Sequence, residues 1–296
     1  MKGYARQVQR VLVTTLILNL AVAASKLIVG LRANSLSVVG DALHSGVDAT
    51  ANIVALVVIR FSTAPADEDH PFGHGRYETL AAFVLGGLLF VTAFELGRGA
   101  IGRLLEPQET LVDALTLGAM VATLAVNVFV AWYERREGQR QQSEVLLADS
   151  AHTRSDVYVT LAVLAGLLLH RYGFEHADGA LALVVAVAIA IAGWRVYRDV
   201  LPALTDRAVF EAGEVARVVR EVPGVVSVHD IRSRGTRREA YVQMHLVVDR
   251  QDVVGAHEVA DEVERRLASE LGVKESFVHI EPEDDRSGPP GSAPKD

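Results

Sequence analysis

Long apolar stretches fill the first two thirds of this sequence and constrain its fold more than any other feature. A helix needs about 20 mostly apolar residues to cross the hydrocarbon core of a membrane. Six stretches reach that length, separated by short connectors that contain Arg, Pro, Asn or Gly. Their approximate bounds are Val11–Leu31, Ser35–Phe61, Leu80–Leu104, Leu111–Trp132, Val145–Leu169 and Ala177–Val196. The sequence therefore predicts an all-α transmembrane domain of six helices over residues 1–205, in contact with membrane lipid.

Basic residues are distributed unevenly between the two ends of these stretches. One side of a six-helix arrangement collects Lys2, Arg6, Arg10, Arg60, Arg76, Arg135, Arg136, Arg140, Arg195 and Arg198, whereas the other holds little beyond Arg32, Arg98, Arg103 and Arg171. Because loops rich in Lys and Arg stay in the cytoplasm, both termini are predicted to be cytoplasmic. The first apolar run lacks a small-residue cleavage site, so we interpret it as a retained helix of a multi-pass inner-membrane protein.

The remainder of the chain has the composition of a soluble domain. Residues 206–284 contain a helical pattern, FEAGEVARVVREV, then the strand-like runs VVSVHDIRS and EAYVQMHLVVD, the helix VGAHEVADEVERRLASELG and the strand ESFVHIEP. This α-β-β-α-β order predicts a small ferredoxin-like α/β domain with helices on one face of a sheet. Residues 285–296 are predicted to be disordered.

Composition narrows the chemistry of any site. The chain has no Cys, so a transition metal must be held by His nitrogen and carboxylate oxygen. The net charge is -8 and no basic run with interleaved aromatics occurs, which argues against a nucleic-acid partner. Neither H-E-x-x-H nor G-x-S-x-G is present, which argues against an enzyme.

The second apolar stretch carries ionisable residues where they are costly. Asp41, His44 and Asp48 recur at spacings of three and four, so they share one helical face that Asn52 extends. A charge near the bilayer centre needs a partner or a wet cavity. This face therefore predicts a polar site within the membrane.

The fifth apolar stretch repeats the pattern. Asp149, His152 and Asp156 share a face, so HxxxD occurs in both stretches, as His44/Asp48 and as His152/Asp156. In the predicted topology the two motifs lie near the midplane on antiparallel helices. Two imidazoles and two carboxylates suit a tetrahedral Zn²⁺ site that is neutral when filled.

Two alternatives stay open at this point. The polar residues of both stretches would also fit simple hydrogen bonding between helices. Asp41 and Asp149, which lie outside the HxxxD pairs, fit either a structural role or a role in ion or proton access.

These motifs carry a family resemblance. The segments GDALHSGVD, DEDHPFGHGRYETLAAF and ADSAHTRSD resemble the signatures of the cation diffusion facilitator family, specifically its bacterial zinc exporters, and the resemblance spans about Arg6 to Glu283. It implies a homodimer that exchanges cytoplasmic divalent metal for protons by alternating access. It also implies a transport site of His44, Asp48, His152 and Asp156. Two His in that set favour zinc, with cadmium, iron, cobalt or manganese as alternatives.

The resemblance implies two further metal sites. On the loop after the second stretch, Asp67, His70 and His74 match a family loop site; the alternative is that the two histidines are loop or cap residues. In the tail, the matching zinc cluster is His229, His245, His257, His279 and Glu281, where some relatives carry Asp in place of Glu281. The alternative is a scatter of solvated histidines, but strand alternation places His245, His279 and Glu281 away from the core.

A few residues complete the expectations. Arg76 and Asp206 resemble a charge pair between the bundle and the tail in relatives, the alternative being an interfacial snorkelling Arg. His170 and His176 are interpreted as incidental. Two other functions compete with transport. A membrane zinc hydrolase would need an open coordination position on its zinc ion, and a non-transporting metal sensor would have a membrane site that moves no metal.

Overall fold

The computed structural model of the chain describes residues 2–32, 46, 52–105, 114–172, 174, 176–250 and 252–282. The chain divides into two compact units, Met1–Leu201 and Pro202–Asp296. The predicted site residues Asp41, His44 and Asp48 lie outside the described residues, as does the predicted disordered segment 285–296.

The first unit is helical. Its helices are α1 Lys2–Arg32, α2 described over Asn52–Ser62, α3 Arg76–Leu105, α4 Ala114–Gln141, α5 Glu144–Arg171 and α6 Ala177–Leu204. The helices continue past the apolar stretches, as in α4, which runs on from Trp132 to Gln141. The added residues are largely Glu, Arg and Gln, which have high helix propensity, so the helix does not end where the apolar run ends.

Among the described residues, four helices are long and apolar enough to cross a membrane: Gly3–Ile28, Arg76–Leu105, Leu117–Gln141 and Gly179–Leu204. Helix α5 has 28 residues, but Glu144, Asp149, Arg154 and Asp156 make its first half polar. The predicted helical N-terminal domain is therefore confirmed, whereas the count of six spans stays a prediction.

This unit exposes many large apolar side chains and buries several polar ones, unlike a typical soluble protein. Large apolar side chains such as Phe94 and Trp194 are 70% and 61% exposed, whereas Asn52, Glu134 and Asp149 are 2%, 0% and 2% exposed. An apolar outer surface suits lipid, and polar groups in such a setting turn inward and pair with one another. The polar interior of the bundle is where a site for ions has to be sought.

The second unit is an α/β domain. Its described elements are α7 Ala212–Arg220, β1 Val225–Gly235, β2 Ala240–Val248, α8 Val253–Arg266 with a π-helical turn Leu267–Leu271, and β3 Val273–Pro282. The strands lie in the order β1-β2-β3, with β1 antiparallel and β3 parallel to β2. The predicted α/β tail with its sheet is confirmed, and its classification as ferredoxin-like stays a prediction.

One face of this sheet builds the core. Val219 of α7 and Val263 of α8 join Val242, Met244 and Leu246 of β2 in a single buried cluster. Successive strand residues point to opposite faces, so His245, between Met244 and Leu246, faces away from the helices. This is the orientation of His245 that strand alternation predicts.

The ends of α8 fix the start of β3. Asp252 caps the helix because its Oδ1 accepts the Gly255 N–H at 2.8 Å. After the π-helical turn, Gly272 has φ 68° and donates its N–H to the Leu267 carbonyl. Glycine adopts this left-handed conformation at no steric cost, so the chain turns directly into β3.

Candidate metal centres

The loop between α2 and α3 is ordered around Asp67. Its Oδ1 accepts the backbone N–H of His70 at 2.7 Å. This bond is the largest reason that the pKa of Asp67 is lowered; burial acts against it, and the weaker electrostatic effects of His74 and His70 act with it. Gly73 has φ 86°, a conformation that favours glycine and brings the chain back towards α3. The carboxylate is therefore ionised and held in place.

Three ligand atoms converge in this loop. Nδ1 of His70 lies 3.5 Å from Oδ1 of Asp67, and Nε2 of His74 lies 3.3 Å from Oδ2 of Asp67. Asp67, His70 and His74 together offer ligand atoms within 4.8 Å of one another. Two donors of a tetrahedral zinc ion, each about 2.1 Å from it, lie roughly 3.4 Å apart. The donor set and its spacing fit zinc.

Neighbouring groups orient the two imidazoles. Nδ1 of His74 lies 3.1 Å from the Pro65 carbonyl oxygen, which only accepts, so this bond requires the proton on Nδ1 and leaves Nε2 able to bind a metal. Tyr77 stacks against His74 with ring centroids 5.9 Å apart, and its hydroxyl lies 3.5 Å from Nε2 of His70. The sequence analysis did not single out Tyr77, although its place three residues after His74 on a helical turn was a usable signal.

In the tail, three histidines form a row across the open face of the sheet. His229 of β1 pairs in register with His245 of β2, which pairs in register with His279 of β3. The ring centroids of successive members are 5.2 and 4.7 Å apart. Glu281 lies beside the row, with Oε1 2.7 Å from Nδ1 of His245 and Oε2 3.4 Å from Nε2 of His229.

A β-bulge adds a residue that the sequence analysis missed. The register of β1 shifts between His229 and Arg232, and Asp230 there has φ 49°. Simple alternation places Asp230 on the face opposite His229, but a bulge re-aims the side chain. Asp230 consequently offers a carboxylate oxygen within 4.8 Å of ligand atoms of His229 and His245. His245, His279 and Glu281 form a second such group, so His245 belongs to both.

His257 lies apart from the row in this chain. It is on α8, which packs its Val259 and Val263 into the core on the helix side of the sheet. Its side chain is 73% exposed, and its Nε2 lies 3.8 Å from Oδ1 of Asp261. The chain by itself does not bring His257 to the other predicted ligands.

In the membrane unit, the structure describes half of the predicted transport site. His152 and Asp156 of α5 line a small cavity of about 30 Å³. The other lining residues are Asn19, Val22, Asn52, Asn127, Asp149 and Thr153. Asn127 and Asn19 come from apolar helices and escaped the sequence analysis, since single amides there are more often packing contacts. The cavity is polar and has room for a water molecule or an ion.

Hydrogen bonds tie this cavity together from three helices. The Asn52 side-chain amide donates to Oδ2 of Asp149 at 2.7 Å, and the Asn19 amide donates to Oδ1 of Asn52 at 2.8 Å. These contacts link α1, α2 and α5. Asn52 belongs to the face predicted from the second apolar stretch, so that face meets α5 at its described end.

A second buried network lies where α3 begins. Glu78 is 2% exposed and accepts the Tyr4 hydroxyl at 2.6 Å and the Ser143 hydroxyl at 2.6 Å. Glu78 thereby joins α1, α3 and the connector before α5.

Arg76 is the first residue of α3, and Asp206 follows α6 with φ 52°. Their pairing stays a prediction. His176, which the sequence analysis interprets as incidental, is exposed.

Comparison with known proteins decides the family. Residues 12–205 match the model of the cation efflux transmembrane domain, and residues 210–283 match that of the cytoplasmic domain of cation efflux proteins. The chain belongs to the cation diffusion facilitator family. It is therefore an integral membrane transporter that exports divalent metal cations, and not an enzyme.

Full-length relatives agree with this assignment. An uncharacterised transporter of Methanocaldococcus jannaschii is 30% identical over 93% of this chain and 99% of that protein. The cation-efflux pump FieF of Yersinia enterocolitica is 33% identical, with 94% of each chain covered. A solved chain described as a candidate zinc transporter, CzrB, in its zinc form is 29% identical over 27% of this chain and 96% of that one, with a TM-score of 0.23. At that TM-score the likeness carries no argument.

Proposed function

We propose that the protein exports Zn²⁺ in exchange for protons by alternating access. The observation that carries the proposal is the polar cavity lined by His152 and Asp156 within a bundle whose outer surface is apolar. Imidazole and carboxylate bind either zinc or protons near neutral pH, so binding one displaces the other.

The complete transport site consists of His44, Asp48, His152 and Asp156 in tetrahedral geometry. The first two come from the HxxxD motif of the second apolar stretch, whose continuation, Asn52, lines the same cavity as His152. Two nitrogen and two oxygen donors favour zinc over manganese, which prefers oxygen.

The other two sites hold zinc as a resident ion. On the loop the ligands are Asp67, His70 and His74, whose spacing suits a tetrahedral ion with a further ligand such as water. In the tail the ligands are the row His229, His245 and His279 with Glu281. Since the family's cytoplasmic domain covers this unit, we assign it to the cytoplasm and to contact between two copies of the chain.

In such a homodimer, His257 is available to the partner's sheet face, because it is exposed on its own helix. The distribution of basic residues supports six membrane spans with both termini in the cytoplasm, and the tail then lies on the cytoplasmic side of the inner membrane. The charge pair of Arg76 and Asp206 and an access role of Asp41 and Asp149 belong to the same proposal.

Metal selectivity in proteoliposomes tests the function. We expect uptake of zinc to exceed that of iron(II), cobalt, cadmium and manganese, and to rise when a pH gradient supplies protons on the opposite side. His152→Ala should abolish zinc uptake, whereas the matched variant His176→Ala should retain it. Equal uptake by His152→Ala and wild type would refute the site, and preference for another metal would refute zinc.

A further inference from the structure

Helix α4 carries a buried carboxyl group that the proposed zinc ligands leave without a role. Glu134 is 0% exposed, and its Oε2 accepts the Thr153 hydroxyl of α5 at 3.2 Å. On the α1 side the Thr15 hydroxyl lies against the same carboxyl group, but Thr15 donates to the Leu12 carbonyl oxygen, 3.2 Å away. A carboxyl group buried this completely is costly unless it is neutral or compensated.

Among the described residues, Asp149 of α5 is a neighbour of Glu134 that carries the same sign of charge. Asp149 acts on Glu134 as a like charge, and the two carboxyl groups are hydrogen-bond partners. From α5, His152 adds its own electrostatic effect on Asp149, and the group that α1 presents is the neutral Thr15. Within the described residues, Oε1 of Glu134 is buried and meets no donor at hydrogen-bond distance.

Glu134 and Asp149 need one more hydrogen-bond donor between them. Asn52 donates to Asp149 at 2.7 Å, and Thr153 donates to Glu134 at 3.2 Å. Both carboxyl groups thus accept from outside the pair, while Oε1 of Glu134 has no donor among the residues that the structure describes. A proton on Glu134 closes this chain of hydrogen bonds. A metal ion would instead compete with the Asn52 and Thr153 donors for the same oxygen lone pairs.

We propose that Glu134 is a proton-binding residue of the transporter, separate from the zinc ligands, and that it holds its proton against Asp149. This inference rests on the proposed exchange of zinc for protons. In this inference, Glu134 of α4 carries part of the exchanged protons. The HxxxD motifs by themselves suggest that the zinc ligands carry all of them.

The small cavity links this proton to the transport site. Asp149 lines it together with His152 and Asp156, and one helical turn, about 5 Å, separates Asp149 from His152 along α5. When a dication enters the site, its charge disfavours a nearby proton in this poorly screened interior. The O–H bond of Glu134 then breaks, and its proton passes to the carboxylate of Asp149, which lines the cavity, and from there to water. Glu134 is left as a carboxylate.

The test counts protons released when purified protein binds zinc, together with the pH profile of zinc uptake by proteoliposomes. Glu134→Gln keeps the hydrogen bonds closed, since the amide oxygen accepts from Thr153 and the amide nitrogen donates to Asp149. The matched control is Glu137→Gln, one turn further along α4, where Glu137 lies 3.8 Å from Arg140. We expect Glu134→Gln to bind zinc but to release about one proton fewer per zinc ion, with a flatter pH profile. Glu137→Gln should match wild type.

Glu134→Asp separates titration from packing. It keeps a carboxyl group, so it should release as many protons as wild type. If Glu134→Gln releases the wild-type number with an unchanged pH profile, Glu134 binds no exchanged proton, while zinc transport through His152 and Asp156 stands. If Glu134→Asp loses the same proton as Glu134→Gln, the role of Glu134 is structural and the inference is overturned. If wild type itself releases no proton on binding zinc, the proposed antiport fails first.

Discussion

The tail and the membrane unit place similar ligands in opposite surroundings. In the tail, Val242 and Leu246 are 0% and 0% exposed, and the histidine row lies on the outer face of the sheet. In the membrane unit, many large apolar side chains such as Phe94 and Trp194 are exposed, and Asn52 and Asp149 are buried against each other. The polar groups of the tail meet water before a metal arrives, whereas those of the bundle must satisfy one another.

The contrast explains how each site is built. A strand register suffices to align His229, His245 and His279, because solvated imidazoles need no partner in the empty state. The cavity at His152 instead needs supporting amides, which α1 and α2 supply through Asn19 and Asn52. Changes in the bundle should therefore affect transport, and changes on the sheet face should affect metal binding by the tail.

The largest effect is expected from Asp156→Ala. Loss of one of four ligands in a site with few alternatives should lower zinc transport by more than about 100-fold, beyond the 10- to 100-fold typical of supporting residues. Zinc flux in proteoliposomes measures it, with Asp199→Asn as a matched control on the exposed part of α6. If Asp156→Ala transports zinc at a rate within a few-fold of wild type, the bundle cavity is not the transport site and the contrast with the tail fails.

The difference in burial predicts different costs for removing apolar side chains. Leu246→Ala leaves a cavity in the tail core and should destabilise that unit by about 2–5 kcal/mol. Phe94→Ala removes a side chain that is 70% exposed, so its effect should stay within about 0.5 kcal/mol. Hydrogen exchange of β2 and thermal unfolding in detergent measure the two. A larger cost for Phe94→Ala would show that it packs inside an assembly and does not face lipid.

A smaller effect on transport is expected from His245→Ala. Because His245 belongs to both groups of candidate ligands in the tail, its loss should weaken zinc binding there by about 100-fold, or 2.7 kcal/mol. The change is measured by adding zinc to the purified protein in steps and recording the rise in its unfolding temperature. Transport through the bundle should persist at a reduced level, and its complete loss would mean that the tail carries ligands of the transport path itself.

The smallest effect is expected from Tyr77→Phe. The hydroxyl of Tyr77 lies 3.5 Å from His70, at the limit of a hydrogen bond, while the ring stacks on His74 in either variant. Zinc affinity of the loop should fall by about 2- to 3-fold, since a weak hydrogen bond contributes about 0.5 kcal/mol. Tyr77→Ala, which also removes the stacking, should cost more, and equal effects of the two variants would contradict the role of the ring.

Periodicity made much of this fold predictable. Apolar runs located the helices of the bundle, and strand alternation placed His245 and His279 on the open face of the tail sheet. Asp230 was not predicted as a ligand, because the bulge that turns its side chain towards His229 leaves no mark in the sequence. Glu134 escaped notice since it follows Trp132, where the apolar run ends, and a charge at that point usually meets water. Only the packing of α4 against α5 shows that it is buried.

Simultaneous recording of zinc and proton movement in one population of proteoliposomes tests the central claim most directly. The account predicts that protons leave as zinc enters, in a fixed ratio, and that both movements vanish together in His152→Ala. Zinc entry without proton movement, or persistence of both in His152→Ala, would contradict exchange through the intramembrane cavity.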